Sequence, residues 1–422
     1  MDSFAVIDRV AIVLFLSSLL GLVIASVVIL SLISIYVPNK GTDLVSCKIA
    51  PYVVRRLYRS FLRLAIVCRS SFALMVSRDT GTGPAAVAVA DFNKDGDLDL
   101  AVADYVEGTI SILLGSGDGG FDSHYKLSNG QFAGPNGIAV GDVNNDGHMD
   151  VAVVNSNASQ FGIFLGQGNG KFSSQMTCST GRNSSPLGLA LGDVNNDKIL
   201  DVVVSDNATG TLMVFLGEGN GRFDVIGAFA TGTNSEPYSL VIEDLNRDKY
   251  LDLVVTNSGT NNIGVFLGDG TGNFARQQTF STDRSPRTLV AGHFNEDKIL
   301  DIATANFLAN SVSILLGNGD GTFTQQRSVS TGEKSFPYAI DSADFDRDGR
   351  LDLVVANSEA NNVGVLIGSG NGTFRQGGTY GTGQNSYPDD VAVGDFNGDQ
   401  RVDIISTNYN HDTVGIFQNT CS

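Results

Sequence analysis

Residues Asp91–Asp99 read DFNKDGDLD, and the rest of the chain is organised around this stretch. Counterparts begin at Asp142, Asp193, Asp244, His293, Asp344 and Asp395, so the period is 51 residues with one step of 49. In the second unit the loop is flanked by GIAVGD (137–142) and DVAVVN (150–155), then FGIFLG (161–166), a turn GQGNGKF (166–172) and a more polar run through Met176. These are short apolar, β-branched runs bounded by Gly, Asn and Asp, which is how strands and turns read. A fixed repeat of about 40 to 50 residues made of strands marks propeller blades or a solenoid. Four strands per unit, here called A to D, and seven units predict an all-β seven-bladed β-propeller.

The ends of the repeat array predict how the ring closes. The last unit stops at VGIFQNTCS, its third strand, while Phe72–Arg78 precedes the first A strand and reads as an orphan D strand. Phe72 matches the Phe that ends each Gly-x-Gly-x-Phe turn, as at Phe172, Phe223 and Phe374. An N-terminal strand completing blade seven leaves no open sheet edge. By the same alignment Cys68 and Cys421 fall in one C-to-D turn, where a disulfide would lock the ring; two unpaired thiols are the other reading. Cys47 is placed to pair between chains, and Cys178 reads as a small packed residue.

Composition and charge narrow the partners. Residues 1–78 carry nine Lys/Arg against three Asp/Glu, leaving 18 against 42 for the remainder, a body of −24. Such a body repels phosphate backbones, so no nucleic-acid partner is expected, whereas cations are.

The chain divides into an anchor at 1–38, a basic stem at 39–70 and the propeller at 71–422. Val10 to Val37 contains no charged residue, and about 20 apolar residues span a bilayer. A transmembrane helix is therefore expected, with a signal peptide cleaved near Ala25-Ser26 as the alternative. Lys40, Lys48, Arg55, Arg56, Arg59 and Arg63 follow the span while Arg9 precedes it, which by the positive-inside rule favours a cytoplasmic body. Sequons at Asn157, Asn183, Asn207 and Asn371 and loops suited to weak calcium binding favour the opposite, and the expectation is a propeller outside the cell or in the secretory lumen. The stem sequence VVRRLYRSFLRLAIV suits either an amphipathic helix on lipid headgroups or a solvated spacer.

The Asp loops carry the candidate chemistry. Calcium takes six to eight hard oxygen ligands, and carboxylates at alternate positions of a tight loop wrap them around one point. Positions 1, 3, 5 and 9 are Asp91, Asn93, Asp95 and Asp99 in the first unit and Asp142, Asn144, Asp146 and Asp150 in the second. They are Asp193, Asn195, Asp197 and Asp201 in the third and Asp244, Asn246, Asp248 and Asp252 in the fourth. The fifth offers only Asn295, Asp297 and Asp301; the sixth Asp344, Asp346, Asp348 and Asp352; the seventh Asp395, Asn397, Asp399 and Asp403. Position 7, as at Asp97, His148, Arg350 and Arg401, adds a backbone carbonyl. Gly96, Gly147 and Gly349 stand at position 6, where a sharp turn favours positive φ, so those three units are the expected best sites. Lys198, Lys249 and Gln400 stand there in three others. The alternative for every loop is that Asp and Asn simply cap turns.

This D-x-[ND]-x-D-G-x-x-D loop between apolar strands, with LGxGxGxF after the third strand, resembles the FG-GAP/VCBS repeats of integrin α-subunit propellers. The resemblance covers residues 72–422 and implies calcium in the loops and a ring used for extracellular recognition or adhesion. The literal Phe-Gly and Gly-Ala-Pro signatures are mostly missing and no inserted DxSxS adhesion domain is present, so the likeness is to the module.

Strand alternation puts the Asp loops on one face and the B-to-C and D-to-A connections on the other. The latter carry NSNASQ (155–160), its counterparts in the other units, and Tyr105, Phe307 and Tyr409, and loops on a rigid scaffold are where recognition resides. Four scattered histidines and no HExxH, nucleophile elbow or P-loop give no support for catalysis. The expected function is recognition or adhesion of an extracellular protein or glycan by a calcium-binding, membrane-anchored propeller. A calcium-dependent lectin is one alternative and a polysaccharide-degrading enzyme another.

Overall fold

In the computed structural model the described residues are 35–37, 45–47, 71–130, 132–324 and 327–421. Of the expected membrane helix and stem, only Ile35–Val37 and Val45–Cys47 are described, as an antiparallel pair of strands. The rest of both expectations lies outside the described residues, and among these no helix is long and apolar enough to cross a membrane.

Seven four-stranded antiparallel sheets follow one another from residue 76 to residue 417, each in the order A-B-C-D. In blade one these are Pro84–Ala90, Asp99–Asp104, Thr109–Gly115 and Phe121–Ser128. Every B strand opens on the ninth residue of an Asp loop, ends on Asp or Asn and is buried along its whole length. Strands buried on both faces read as continuous apolar runs rather than alternating ones, and the VAVV and LVVT stretches are of that kind.

The core lies between blades. Ala101, Ala103, Ile110 and Ile112 of blade one pack on Val151, Val153 and Phe164 of blade two. The ring closes as the orphan-strand reading expects: Val76–Asp79 is the D strand of blade seven, paired with Thr413–Phe417, and Phe72 bridges to Asn419. Val87, Leu100 and Val102 of blade one then pack on Ala392, Ile405 and Val414 of blade seven. Cys421 is disulfide-bonded; its expected partner Cys68 lies outside the described residues. Cys178 is a free, half-buried thiol.

Candidate functional site

The Asp loops share one backbone. The position-1 carboxylate accepts the position-6 amide at 2.7–3.0 Å in six of them, from Asp91 with Gly96 to Asp395 with Gln400. Position 3 accepts the position-5 amide, and position 5 accepts the position-7 amide, as in Asn144 with Asp146 and Asp146 with His148. Position 6 is left-handed whatever its side chain, with φ 91° at Gly96, 71° at Lys198, 74° at Lys249 and 64° at Gln400. Position 4 is left-handed as well, at Lys94, Asn145, Asn196, Arg247, Arg347 and Gly398. Asn145, Asn196 and Gly398 are of types that favour this conformation, whereas Lys94, Arg247 and Arg347 do not announce it.

Position 9 has a second structural duty. In all seven blades its buried carboxylate accepts the position-2 amide on one oxygen and an amide of the C-to-D turn on the other, at 2.7–3.2 Å. Burial pushes these acids up, to about 6 for Asp99, Asp150, Asp201, Asp252 and Asp403 and to about 7 for Asp352. The Phe residues that frame the loops interlock neighbouring blades, Phe92 against Phe172 at 5.2 Å and Phe294 against Phe374 at 5.7 Å.

The loops differ as ion sites. In blade six the carboxylates of Asp344, Asp346 and Asp348 come within 4.8 Å of one another, and burial raises the first two above the usual carboxylate range. This is an all-oxygen, convergent, anionic donor set, which fits a hard divalent cation. In blades one to four the position-3 amide nitrogen instead donates to position 5, as from Asn93 to Asp95 at 2.7 Å. Arg350 and Arg401 turn their guanidinium groups onto Asp348 and Asp399 at 3.2 and 2.7 Å, placing an internal cation beside the position-5 carboxylate. In the fifth loop His293 Nδ1 lies 2.9 Å from the Ile299 carbonyl oxygen, and Asn295 is drawn into a bridge with Asn371.

The opposite face has a different construction. All seven A strands begin with Pro: Pro84–Ala90, Pro135–Gly141, Pro186–Gly192, Pro237–Glu243, Pro286–Gly292, Pro337–Ala343 and Pro388–Gly394. Each pairs with its B strand through a register shift directly after that Pro. Such bulges re-aim a side chain. Adjacent A strands pack side by side around the ring, so the residue after each Pro stands at the mouth of the central channel. These seven positions hold Ala85, Asn136 and Leu187, then Tyr238, Arg287, Tyr338 and Asp389. Where the backbone repeats and the side chain does not, the variation is a property of the site.

A cavity of about 390 Å³ opens there, lined by Tyr238, Tyr338, Asp389 and Asp390 together with Tyr105 and Tyr409. The Arg287 guanidinium stacks on Tyr238 at 4.7 Å, Phe307 at 5.1 Å and Tyr338 at 5.5 Å. Burial pushes Asp389 and Asp390 up to about 7, although both touch solvent within the channel; Ser358 and then Arg287 hold Asp389 down in part. Tyr105, Phe307 and Tyr409 are legible in the sequence as loop aromatics, whereas the A-strand ring is not. The sequence signal is the repeated Pro followed by six residue types at seven positions.

Six overlapping stretches, 91–153, 142–204, 193–255, 244–304, 293–355 and 344–406, match the FG-GAP-like repeat. No curated protein matches the sequence. Virginiamycin B lyase from Staphylococcus aureus is similar in structure, with TM-score 0.60 and 15% identity over 82% of this chain and 99% of that one. BBS1N, crystallised in complex with ARL6DN, gives 0.59 and 12% over 83% and 97%. An Agrocybe aegerita lectin that recognises non-reducing terminal N-acetylglucosamine gives 0.52 and 16% over 78% and 86%. At these identities the likeness is one of fold. With matched repeats running from residue 91 to residue 406, the chain belongs to the FG-GAP-like repeat family and builds from it a seven-bladed propeller.

Proposed function

We propose that this protein is a recognition propeller whose Asp-loop face is a calcium-supported scaffold and whose opposite face binds a protein or glycan partner. The observation that carries this reading is the contrast between the faces. One repeats the same hydrogen-bonded loop in six blades; the other sets six residue types on seven like backbones. Calcium belongs with the first face, with the convergent Asp344, Asp346 and Asp348 as its strongest site. There it offsets repulsion within an acidic body and stiffens the A-to-B hairpins.

The membrane anchor and an extracellular or lumenal body are part of the same reading and rest on the charge-free run Val10 to Val37 and the four sequons. The Tyr-lined cavity also suits a lectin, the second reading, which a glycan array separates from protein adhesion. Thermal unfolding after chelation, with calcium added stepwise, tests the scaffold. A melting temperature that rises and saturates with several ions bound per chain supports it, and no shift with no bound metal reduces the loops to turn caps.

A further inference from the structure

The mouth cavity has an unbalanced charge. Asp389 and Asp390 are the charged groups that line it, and Asp341 lies close enough to Asp390 to repel it. The cation whose charge reaches Asp389 is Arg287, which does not line the cavity and lies flat on Tyr238, Phe307 and Tyr338. Among the described residues no ion pair joins Arg287 to any of these three carboxylates. The two carboxylates differ in what else they do. Asp390 accepts the amides of Val87 and Val391 at 3.0 and 2.9 Å, clamping blade seven to blade one. Asp389 has only a long contact, 3.5 Å, from the Ser358 hydroxyl, so its oxygens are the freer ones.

An anion entering this mouth meets carboxylates poorly supplied with solvent and is repelled. A neutral guest leaves them uncompensated. A cation supplies the missing counter-charge where desolvation makes it count, and aromatic rings such as those of Tyr105 and Tyr409 offer faces that attract cations. Burial raises both acids above the usual carboxylate range, and at Asp390 the neighbouring carboxylates of Asp341 and Asp389 add to it, so a cation beside them lowers the cost of their charge. The volume of about 390 Å³ falls within the range of small-molecule sites.

We propose that the mouth of the central channel binds a small organic ammonium cation, with Asp389 as its principal counter-ion and the tyrosines as its walls. This rests on the reading of the loop face as the recognition surface.

The test uses the full chain and choline, titrated by calorimetry beside its uncharged isostere 3,3-dimethyl-1-butanol and methyl α-glucoside. Choline is expected to bind with the isostere about tenfold weaker or more. Asp389→Asn is expected to lower choline affinity by a similar factor without lowering the melting temperature, since it removes a buried acid whose ionisation costs stability. Tyr409→Leu, which leaves both carboxylates in place, is expected to lower it as well. Equal binding of choline and its isostere, or no choline binding, overturns the proposal. Glucoside binding without choline binding overturns the cation while keeping the mouth as a recognition site. Calcium response is read on the same samples, so a stabilised propeller that ignores choline fails this proposal alone. Choline binding without any calcium shift fails the calcium scaffold alone.

Discussion

Tyr238 and Tyr338 meet hydroxyl to hydroxyl at 2.5 Å although a hundred residues and two blades separate them. Their rings stand edge to face, 5.9 Å apart, over the guanidinium of Arg287 from the blade between them. Blades four, five and six are thus tied at the channel mouth by contacts that no backbone ladder supplies. Arg287 Nε is buried without a hydrogen-bond partner, so the stacked rings are what offsets its burial. Arg287→Ala is expected to destabilise by about 2 kcal/mol through lost stacking and packing, and Tyr338→Phe by about 1 kcal/mol. Urea unfolding midpoints check both, and a silent Arg287→Ala would mean the stack is incidental.

The channel acids predict a pH dependence with a definite sign. Asp389 and Asp390 are raised from 3.8 to about 7, so their folded pKa exceeds the unfolded value. Their stabilising contribution is complete below pH about 4 and is lost as pH rises through about 7. Asp341, raised to about 6, acts in the same direction, and Arg287 opposes it at Asp389. Other carboxylates act the opposite way, as at the exposed Asp118 and Asp320, so the informative quantity is a difference between variants. Asp389→Asn is expected to remove part of the stability loss between pH 4 and pH 7. Parallel stability curves for the two proteins across that range would show that Asp389 titrates normally.

The repeat made the propeller, the blade count and the closing strand legible, because a period and a pattern of apolar runs are one-dimensional properties. The loop positions were equally plain, down to the positive φ at position 6. Two features were not. The ninth Asp reads as a ligand, yet the amides of Phe92 and Gly115 that bind Asp99 come from separate segments that only tertiary structure brings together. The channel ring escaped because its members share a backbone position and no chemistry, so a search for repeated residues passes over them.

The left-handed residues give a clean stability series. Gly349 has φ 85° and a Cβ built there meets nothing within 4 Å, so Gly349→Ala changes conformational energy without a clash. A loss of about 1 kcal/mol is expected. Lys249→Gly is expected to gain less than that, because strain relief at φ 74° is offset by the greater entropy of the unfolded chain. Thermal unfolding in chelator isolates the effect from metal, and equal melting temperatures across the set would contradict it.

Loop inequality predicts unequal calcium dependence. In the second loop Asp142, Asn144 and Asp146 are hydrogen-bonded around one turn. The fifth has His293 in place of the first carboxylate, so its Asn295, though it still accepts the Asp297 amide at 3.0 Å, sits in a loop with one acid fewer. Asp146→Ala is expected to lower the calcium-induced rise in melting temperature far more than Asn295→Ala. Equal losses would remove the ranking of the sites.

Ring closure rests on little chain. The D strand of blade seven is Val76–Asp79, four residues paired to Thr413–Phe417, as short as the D strands of blades two, four and five but brought from the other end of the propeller segment. Phe72 extends the hold: its ring packs on Phe345 at 5.6 Å and Tyr380 at 5.1 Å, both of blade six, within a buried cluster that includes Phe417. Phe72→Ala removes this buried ring and is expected to cost about 3 kcal/mol or more. Because the lost contacts sit at the seam, amide exchange is expected to rise first in Val76–Asp79 and its partner Thr413–Phe417, the one C–D pair whose strands are not consecutive in the chain. Exchange that rises uniformly around all seven blades would mean that the ring opens as one cooperative unit, with no weak point at its closure.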